Sequence, residues 1–211
     1  MSVKLVWITP NATKVMSYCA RVSNPKNQKN WKTASKLLAY CIKNKHWSVF
    51  EMASMCVEIK TSMAVGEQIL RHRSFSFQKF SFRYAKSVNM VNVKPRRQDT
   101  KNRQNSIDDL PESTKTWFRD NMRILQTDAR HLYEQALEYG IAKESARFFL
   151  PASTETTLYM SGTIRSWIHY LMLRREHGTQ LEHKQIADQA MKIFKRQLPT
   201  IYKAIMESTH E

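Results

Sequence analysis

The stretch from position 71 to position 84 decides how the rest of the chain is interpreted. It reads Arg71-His72-Arg73-Ser74-Phe75-Ser76-Phe77-Gln78-Lys79-Phe80-Ser81-Phe82-Arg83-Tyr84. If this run is extended, Arg71 and Arg73 project to one side and His72 to the other. Two guanidinium groups with a nearby hydroxyl suit phosphate oxygens, because Arg binds phosphate in a bidentate manner. The alternative is a basic edge strand that covers an aromatic core.

The charge of the whole chain also points to anionic ligands. Its 211 residues include 34 Lys+Arg and 18 Asp+Glu, which gives 34 − 18 = +16 at pH 7. There are only four glycines, and they form neither GxGxxG nor GxxxxGK followed by Ser or Thr. A Rossmann fingerprint and a P-loop are therefore excluded. Phosphate groups would have to be held by side chains, chiefly those of arginine.

Length and composition set the broad class. A chain of this length with 42% hydrophobic residues fits one domain, 1–211, with a sizeable core. We expect a soluble, cytoplasmic protein, because no apolar stretch is long enough to span a membrane and residues 1–10 do not resemble a signal peptide. Cys19, Cys41 and Cys56 are an odd number without CxxC spacing. We expect buried thiols rather than a disulfide, a metal site or a nucleophile.

Hydrophobic periodicity predicts an α+β fold. A polar excursion is predicted at about 86–112, because this segment contains two prolines and many Asn, Asp and Gln. The long helix that follows should stop at Gly140. The predicted strands are 3–9, 53–60 and 155–160, and the predicted helices are 32–45, 62–70, 113–139, 141–150 and two or three within 163–208.

The run 71–84 carries a recognisable motif. Arg71-His72-Arg73, seven residues and then Ser81 form the RHR-x7-S signature of the flavin-dependent thymidylate synthases, the ThyX family. The chain resembles that family at further positions between about 45 and 190. These are His46-x3-Phe50-Glu51, Gln68, Arg147 in Ala-Arg-Phe-Phe-Leu-Pro, and the segment from Arg165 to Arg174.

The resemblance implies a homotetramer of single-domain subunits, each with a small mixed sheet and long helices. It further implies conversion of dUMP to dTMP, with FAD as redox carrier, NADPH as reductant and 5,10-methylenetetrahydrofolate as carbon donor. The residues that it assigns to FAD are His46, Ser48, Arg71, His72, Arg73, Thr163, Arg165 and His169. Those that it assigns to dUMP are Gln68, Arg71, Ser81, Phe82, Arg83, Arg147 and Arg174.

Arg174 is the expected catalytic residue, because in the family the matching arginine polarises the pyrimidine. Ser81 has no base beside it in sequence and is assigned to substrate binding. Lys79 is assigned to both the dUMP and the FAD site, but its role is open, since many family members have an acidic residue at this position.

Several of these residues have a simpler structural interpretation. His46 could be a surface histidine, and His169 could be an interface side chain. Arg147 could be paired with Glu144, one helical turn before it. The phenylalanines of the run are expected to lie mostly in the core.

Helical geometry suggests how the sites are assembled. Arg165 and His169 are four residues apart and share a helix face, whereas Arg174 is nine residues from Arg165 and lies half a turn away. We infer that this helix lies between two active sites of an oligomer and contributes one arginine to each.

Two other classes are compatible with parts of the sequence. A protein that binds RNA or single strands would also interleave basic and aromatic residues. The flavin-free type of thymidylate synthase would need an activated cysteine, and the apolar surroundings of all three cysteines argue against it.

Overall fold

Strands and helices are mixed in the first half of the chain, and helices dominate the second half. The computed structural model describes residues 1–86 and 89–208. Positions 87 and 88, which belong to the predicted excursion, lie outside the described residues, as do 209–211. The strands are β1 (Ser2–Ile8), β2 (Ser54–Ser62), β3 (Ser76–Lys79), β4 (Arg97–Gln98), β5 (Ser106–Ile107) and β6 (Glu155–Thr163). The helices are α1 (Ala12–Ala20), α2 (Ala34–Lys43), α3 (Met63–Leu70), α4 (Glu112–Glu138), α5 (Lys143–Ala146), α6 (Ile164–Arg175), α7 (Leu181–Gln197) and α8 (Pro199–Ser208), with 3-10 turns at Pro25–Asn27, Trp31–Thr33, Trp47–Glu51 and Arg147–Phe149.

The predicted α+β class is confirmed, but the prediction of a mixed sheet is wrong. The main sheet has the strand order β1-β2-β6-β3, and all its pairs are antiparallel. One helix, α3, connects β2 to β3, and these two strands run parallel to each other. Strand β6 lies between them and is antiparallel to both, so no parallel pair is hydrogen-bonded.

The polar excursion contains ordered structure. Strands β4 and β5 pair as a small hairpin with Arg97 opposite Ile107. The Arg97 guanidinium binds the carboxylate of Asp109 at 2.6 Å, and Lys94 forms an ion pair with Asp108. Helix α4 then runs for 27 residues. The chain turns at Gly140, as predicted, where φ is +77° and the absence of a side chain avoids backbone strain.

The main core lies between the sheet and the C-terminal helices. The strand predicted at 53–60 is confirmed as β2, in which Met55, Val57 and Ile59 are completely buried. They pack in one cluster with β6 and with helices α6 and α7. The indole of Trp167 in α6 donates a hydrogen bond to the carbonyl oxygen of Met55 at 2.9 Å, which fixes α6 on the central strand. No helix within the described ranges is long and apolar enough to cross a membrane.

The run 71–84 is extended only over β3, because a tertiary contact bends its first part. Residues 71 to 75 form a turn in which the Phe75 amide donates to the carbonyl oxygen of His72 at 3.1 Å. The Phe75 ring packs on the backbone of Gly162, where an added Cβ would come within 2.5 Å of a ring carbon. It also meets the Trp167 ring edge to face at 5.0 Å between centroids. Phe75 and Phe82 are buried and Phe77 and Phe80 are half-buried, as expected for core residues.

The cysteines differ in their exposure. Cys41 and Cys56 are buried, and burial raises the pKa of both thiols. Cys19 is half-buried, so the prediction of three buried thiols is wrong at this position. Cys19 lies in the last turn of α1, whose buried residues are Ala12, Met16 and Ser17.

Candidate active site

Most of the residues predicted to bind dUMP and FAD lie in three places around α3, β3 and α6. The first is a cavity, called here the Ser81 pocket. The second is a set of contacts between His72 and the C-terminal end of α6, called the Arg174 cluster. The third is at the N-terminal end of α6 and is called the Arg165 group.

The Ser81 pocket has a volume of about 480 Å³. Strand β3 ends at Lys79, and a turn follows in which the Tyr84 amide donates to the carbonyl oxygen of Ser81 at 3.1 Å. Four predicted dUMP residues lie on the wall of the pocket: Lys79, Ser81, Phe82 and Arg147. Its other lining residues are Met63, Glu67, Phe80, Phe148 and Leu150.

Arg83 and Arg147 lie near each other, but only one of them has a carboxylate partner. The Arg83 guanidinium binds the carboxylate of Glu144 at 3.1 Å. Arg147 donates from Nε to the backbone carbonyl of Glu144 at 3.2 Å, so the alternative pairing of these two side chains is wrong. The Arg147 guanidinium is half-buried, and no described carboxylate neutralises it. It is therefore available to an anion in the Ser81 pocket.

Lys79 forms an ion pair with Glu67 across the wall of the Ser81 pocket. The Lys79 side chain is 20% exposed and that of Glu67 is 63% exposed. A carboxylate is therefore present beside Lys79, but it comes from α3. This contact gives the basic residue at position 79 a partner that the sequence could not reveal.

The Arg174 cluster joins the last turn of α6 to the arginine motif. Arg174 donates from Nε to Nε2 of His72 at 2.8 Å. His72 can accept this bond only as a neutral imidazole with its proton on Nδ1. Burial and the charge of Arg174 lower the pKa of His72 to about 4, so the neutral form prevails near pH 7. The terminal nitrogens of Arg174 have no partner among the described residues.

The Arg165 group lies at the other end of α6. Arg165 forms an ion pair with Glu51, and the His169 ring meets the Trp47 ring at 5.0 Å between centroids. Burial, followed by the charge of Arg165, lowers the pKa of His169. The Thr163 hydroxyl accepts a hydrogen bond from the Ser166 amide at 3.2 Å and so caps the helix.

His46, Ser48, Arg71 and Arg73 are exposed. The His46 ring lies edge to face with Tyr40 at 5.9 Å. The guanidinium groups of Arg71 and Arg73 have no partner within residues 1–86 and 89–208. The turn that carries them is held on α6, because Ser166 Oγ donates to the carbonyl oxygen of Ser74 at 3.1 Å.

Sequence reasoning missed several polar neighbours of these residues. Gln68 contacts His183 and Gln180, and the Tyr170 hydroxyl is 3.1 Å from Nε2 of His183. His183 is completely buried, and burial, then Arg174 and His72, lower its pKa to about 3. One signal was present, because His183 occupies the same stripe of α7 as the buried Ile186, Ala187 and Ala190. No comparable feature of the sequence indicated a role for Glu67.

A sequence model of the family described as "Thymidylate synthase complementing protein" matches residues 4–200. The chain therefore belongs to the family of flavin-dependent thymidylate synthases, and the predicted membership is confirmed. It is 52% identical over 213 residues to the probable flavin-dependent thymidylate synthase of Paramecium bursaria Chlorella virus 1, covering 97% of this chain and 99% of the viral protein. It is also 52% identical over 191 residues to the flavin-dependent thymidylate synthase of Synechocystis, covering 90% and 88% of the two chains.

Among solved structures, the chain is similar to the UMP/dUMP methylase PolB from Streptomyces cacaoi bound with 5-Br dUMP. The TM-score is 0.85, at 24% sequence identity, over 98% of this chain and 94% of PolB. At this level of identity the likeness concerns the fold.

Proposed function

We propose that this protein is a flavin-dependent thymidylate synthase that methylates dUMP to dTMP. Its main structural support is the arrangement of the Ser81 pocket next to the Arg174 cluster. The two are joined by α3, since Glu67 lines the pocket and the next residue, Gln68, contacts His183, whose ring centroid is 6.0 Å from that of His72. The high identity to named synthases over nearly the whole chain supports the same conclusion.

In this proposal the Ser81 pocket holds the phosphate end of dUMP. The Ser81 hydroxyl and the Arg147 guanidinium supply hydrogen bonds to phosphate oxygens, and Lys79 adds positive charge. Arg83 lies beside them but shares its charge with Glu144.

Arg174 is proposed to act on the pyrimidine. Its Nε is held by His72, and its two terminal nitrogens can donate to a ring oxygen on which negative charge develops. Such preorganised donors stabilise a transition state because they need not reorient as the charge appears. Because the bond fixes His72 in its neutral form, the guanidinium is the one cationic group of this contact.

The residues present fit FAD. Arg71 and Arg73 are exposed and have no described partner, which suits a pyrophosphate in a chain without glycine-rich phosphate loops. The residues at the N-terminal end of α6 and near it would line the flavin: His46, Ser48, Thr163, Arg165 and His169. When bound, FAD supplies hydride-transfer chemistry. NADPH as reductant and 5,10-methylenetetrahydrofolate as carbon donor are part of the same proposal.

A cysteine nucleophile is disfavoured. Cys41 and Cys56 are buried with raised pKa values, so their thiolate forms are scarce near pH 7. None of the three cysteines lines the Ser81 pocket. This favours the flavin-dependent type of synthase over the flavin-free type.

We further propose that 1–211 is a single domain that assembles as a cytoplasmic homotetramer. Apolar side chains remain exposed along α4 and just beyond it: Trp117 (64%), Ile124 (58%), Leu125 (51%), Leu132 (43%) and Tyr139 (75%). Their spacing of about seven residues places most of them along one side of the helix. Such a stripe is suited to burial against another subunit.

The alternative of an RNA- or single-strand-binding protein loses its main support. Stacking on nucleic-acid bases needs exposed aromatic rings. Phe75 and Phe82 are only 8% and 5% exposed, and Phe77 and Phe80 are half-buried. The four phenylalanines of the run therefore stabilise the fold, and of its aromatic residues only Tyr84 is exposed, at 75%.

The first prediction tests the activity itself. We expect the purified protein to show flavin absorbance and to form dTMP only when dUMP, FAD, NADPH and 5,10-methylenetetrahydrofolate are all supplied. The measurement is product formation with each component omitted in turn. Product formed without flavin would contradict the proposal, and so would salt-sensitive oligonucleotide binding by a colourless, inactive protein.

The second prediction concerns the Lys79–Glu67 pair. Lys79→Glu places two carboxylates together at the Ser81 pocket, and we expect the KM for dUMP to rise roughly tenfold or more through repulsion of the phosphate. The double variant Lys79→Glu with Glu67→Lys restores the pair and should recover most of the loss. Steady-state kinetics at varied dUMP measures both. Equal KM values for the wild type and the single variant would exclude a role of this pair in binding.

A further inference from the structure

A chain of hydrogen bonds runs behind Gln68 through four side chains that the proposed function does not use. The Tyr170 hydroxyl is 3.1 Å from Nε2 of His183, and Nδ1 of His183 is 3.4 Å from Oε1 of Gln68. On its other side, Gln68 donates from Nε2 to Oε1 of Gln180. Gln180 then donates from Nε2 to Oε2 of Glu182 at 2.9 Å. Tyr170, His183 and Glu182 are buried.

The carboxylate of Glu182 sets the direction of every bond in this chain. A carboxylate only accepts, so Gln180 must present its NH₂ group to Glu182 and its carbonyl oxygen to Gln68. Gln68 must then donate to Gln180 and present its own carbonyl oxygen to His183. His183 in turn donates from Nδ1 and accepts at Nε2 from the Tyr170 hydroxyl. This requires a neutral imidazole, in agreement with the lowered pKa of His183.

Gln68 has an unused donor and an unused acceptor, and the orientation of its amide fixes where each one lies. Its amide has two N–H groups and two carbonyl lone pairs. The hydrogen-bond chain uses one N–H group and one lone pair. One N–H and one lone pair remain, and the half-buried side chain can offer them to a ligand. Turning the amide over would place its N–H against the N–H of His183 and its carbonyl against that of Gln180. The hydrogen bond to Gln180 would be lost, and the one to His183 would survive only if His183 moved its proton from Nδ1 to Nε2.

Gln68 lies on the base side of the proposed dUMP site. The cationic side chains suited to phosphate, Lys79 and Arg147, line the Ser81 pocket together with Glu67. Gln68 follows Glu67 by one residue on α3 and so points about 100° away from it around the helix. It contacts His183, whose pKa is lowered by the nearby charge of Arg174, the residue proposed to polarise the pyrimidine.

Uracil and cytosine present opposite patterns of hydrogen-bond donors and acceptors to such an amide. Uracil has an N3–H donor next to a carbonyl acceptor, which matches the remaining lone pair and N–H of Gln68. Cytosine has an acceptor at N3 and an amino donor beside it, which would require the amide to be turned over. We infer that Glu182, acting through Gln180, is a positioning residue that holds the Gln68 amide in the orientation selecting uracil over cytosine, an inference that rests on the proposed dUMP site.

The experiment compares dUMP and dCMP binding to the flavin-loaded protein by titration calorimetry. We expect wild type to prefer dUMP by roughly 100-fold or more, as sites with fixed polar partners do. In Glu182→Gln the side chain keeps its shape but can also donate, so Gln180 and Gln68 can turn over. The preference should fall roughly tenfold or more, through weaker dUMP and tighter dCMP binding. Asp188→Asn is the matched control, because it also converts a carboxylate of α7 to an amide, and Asp188 pairs with Arg175 and takes no part in the hydrogen-bond chain. It should leave the preference for dUMP unchanged.

A second variant keeps the inference testable if Glu182→Gln does not fold. Gln180→Ala removes an exposed side chain and cuts the chain between Glu182 and Gln68, and it should relax the preference in the same direction. Equal weakening of both nucleotides, or an unchanged preference in a folded variant, would overturn the inference. If wild type binds neither nucleotide and forms no dTMP, the proposed function itself fails. If wild type forms dTMP and the variants keep its preference, only the positioning role fails.

Discussion

An Arg174→Ala enzyme is expected to lose roughly 100-fold or more of its kcat, which is the usual effect of removing one donor to a developing charge. Arg174 holds His72 at 2.8 Å through Nε, and its terminal nitrogens have no partner among the described residues. The loss should therefore appear in turnover more than in ground-state binding. FAD binding should stay nearly intact, because His72 is the one residue assigned to FAD that contacts Arg174, whereas Arg71, Arg73 and the Arg165 group are untouched. Steady-state kinetics together with flavin titration measures both quantities.

A neighbouring arginine provides the control for this experiment. Arg175 lies on the same helix but pairs with Asp188 at 2.8 Å and makes no contact with His72. Arg175→Ala should keep a kcat close to that of the wild type. If Arg174→Ala merely needed more dUMP and then turned over normally, Arg174 would be a binding group and the electrostatic role would be wrong.

Mixed oligomers of Arg165→Ala and Arg174→Ala subunits are expected to regain activity that neither variant has alone. The two residues are nine positions apart on α6, which separates them by about 13.5 Å along the axis and by half a turn. Arg165 contacts Glu51 and Arg174 contacts His72, so each faces a different part of the protein. If α6 lies between two active sites, each site takes Arg165 from one subunit and Arg174 from another. After random mixing, up to about a quarter of the sites then contain both arginines. The test is activity after the two variants are unfolded together and reassembled.

The control for complementation uses two residues of one helix face. Arg165→Ala mixed with His169→Ala should show no gain over the average of the parents, since the Arg165 group belongs to one site. Mass analysis must show that subunits have exchanged. Exchanged but inactive mixtures of Arg165→Ala and Arg174→Ala would mean that one chain supplies both arginines to the same site.

Local patterns in the sequence were sufficient for the class and for most elements. Alternation along β2 and helical spacing before Lys43 predicted those elements, because both depend on which face is buried. The motif from Arg71 to Ser81 identified the family. Sequence spacing could not show that β6 inserts between β2 and β3, because that order is set by the packing of distant segments.

The errors at the site have the same physical origin. Glu144 is one turn from Arg147, but its carboxylate pairs with Arg83, 61 positions away. The turn at 71–75 forms because the Phe75 ring packs on Gly162, which overrides the local preference for an extended run. The partners of Lys79 and of Gln68 likewise come from other elements. The sequence indicated that His183 lies on the buried stripe of α7, but not that it contacts Gln68.

The contact of Phe75 with Gly162 also bears on how the arginine motif moves. Opening this turn would have to withdraw the Phe75 ring from the Trp167 ring and from the centre of the core. The Phe75 amide, which donates to the carbonyl oxygen of His72, should therefore exchange with solvent almost only when the whole protein unfolds, whereas the 97–107 hairpin can open separately. If Arg71 and Arg73 bind FAD as proposed, we expect them to reach it by rotamer changes alone, on the nanosecond scale. The backbone beneath them should stay fixed when FAD binds.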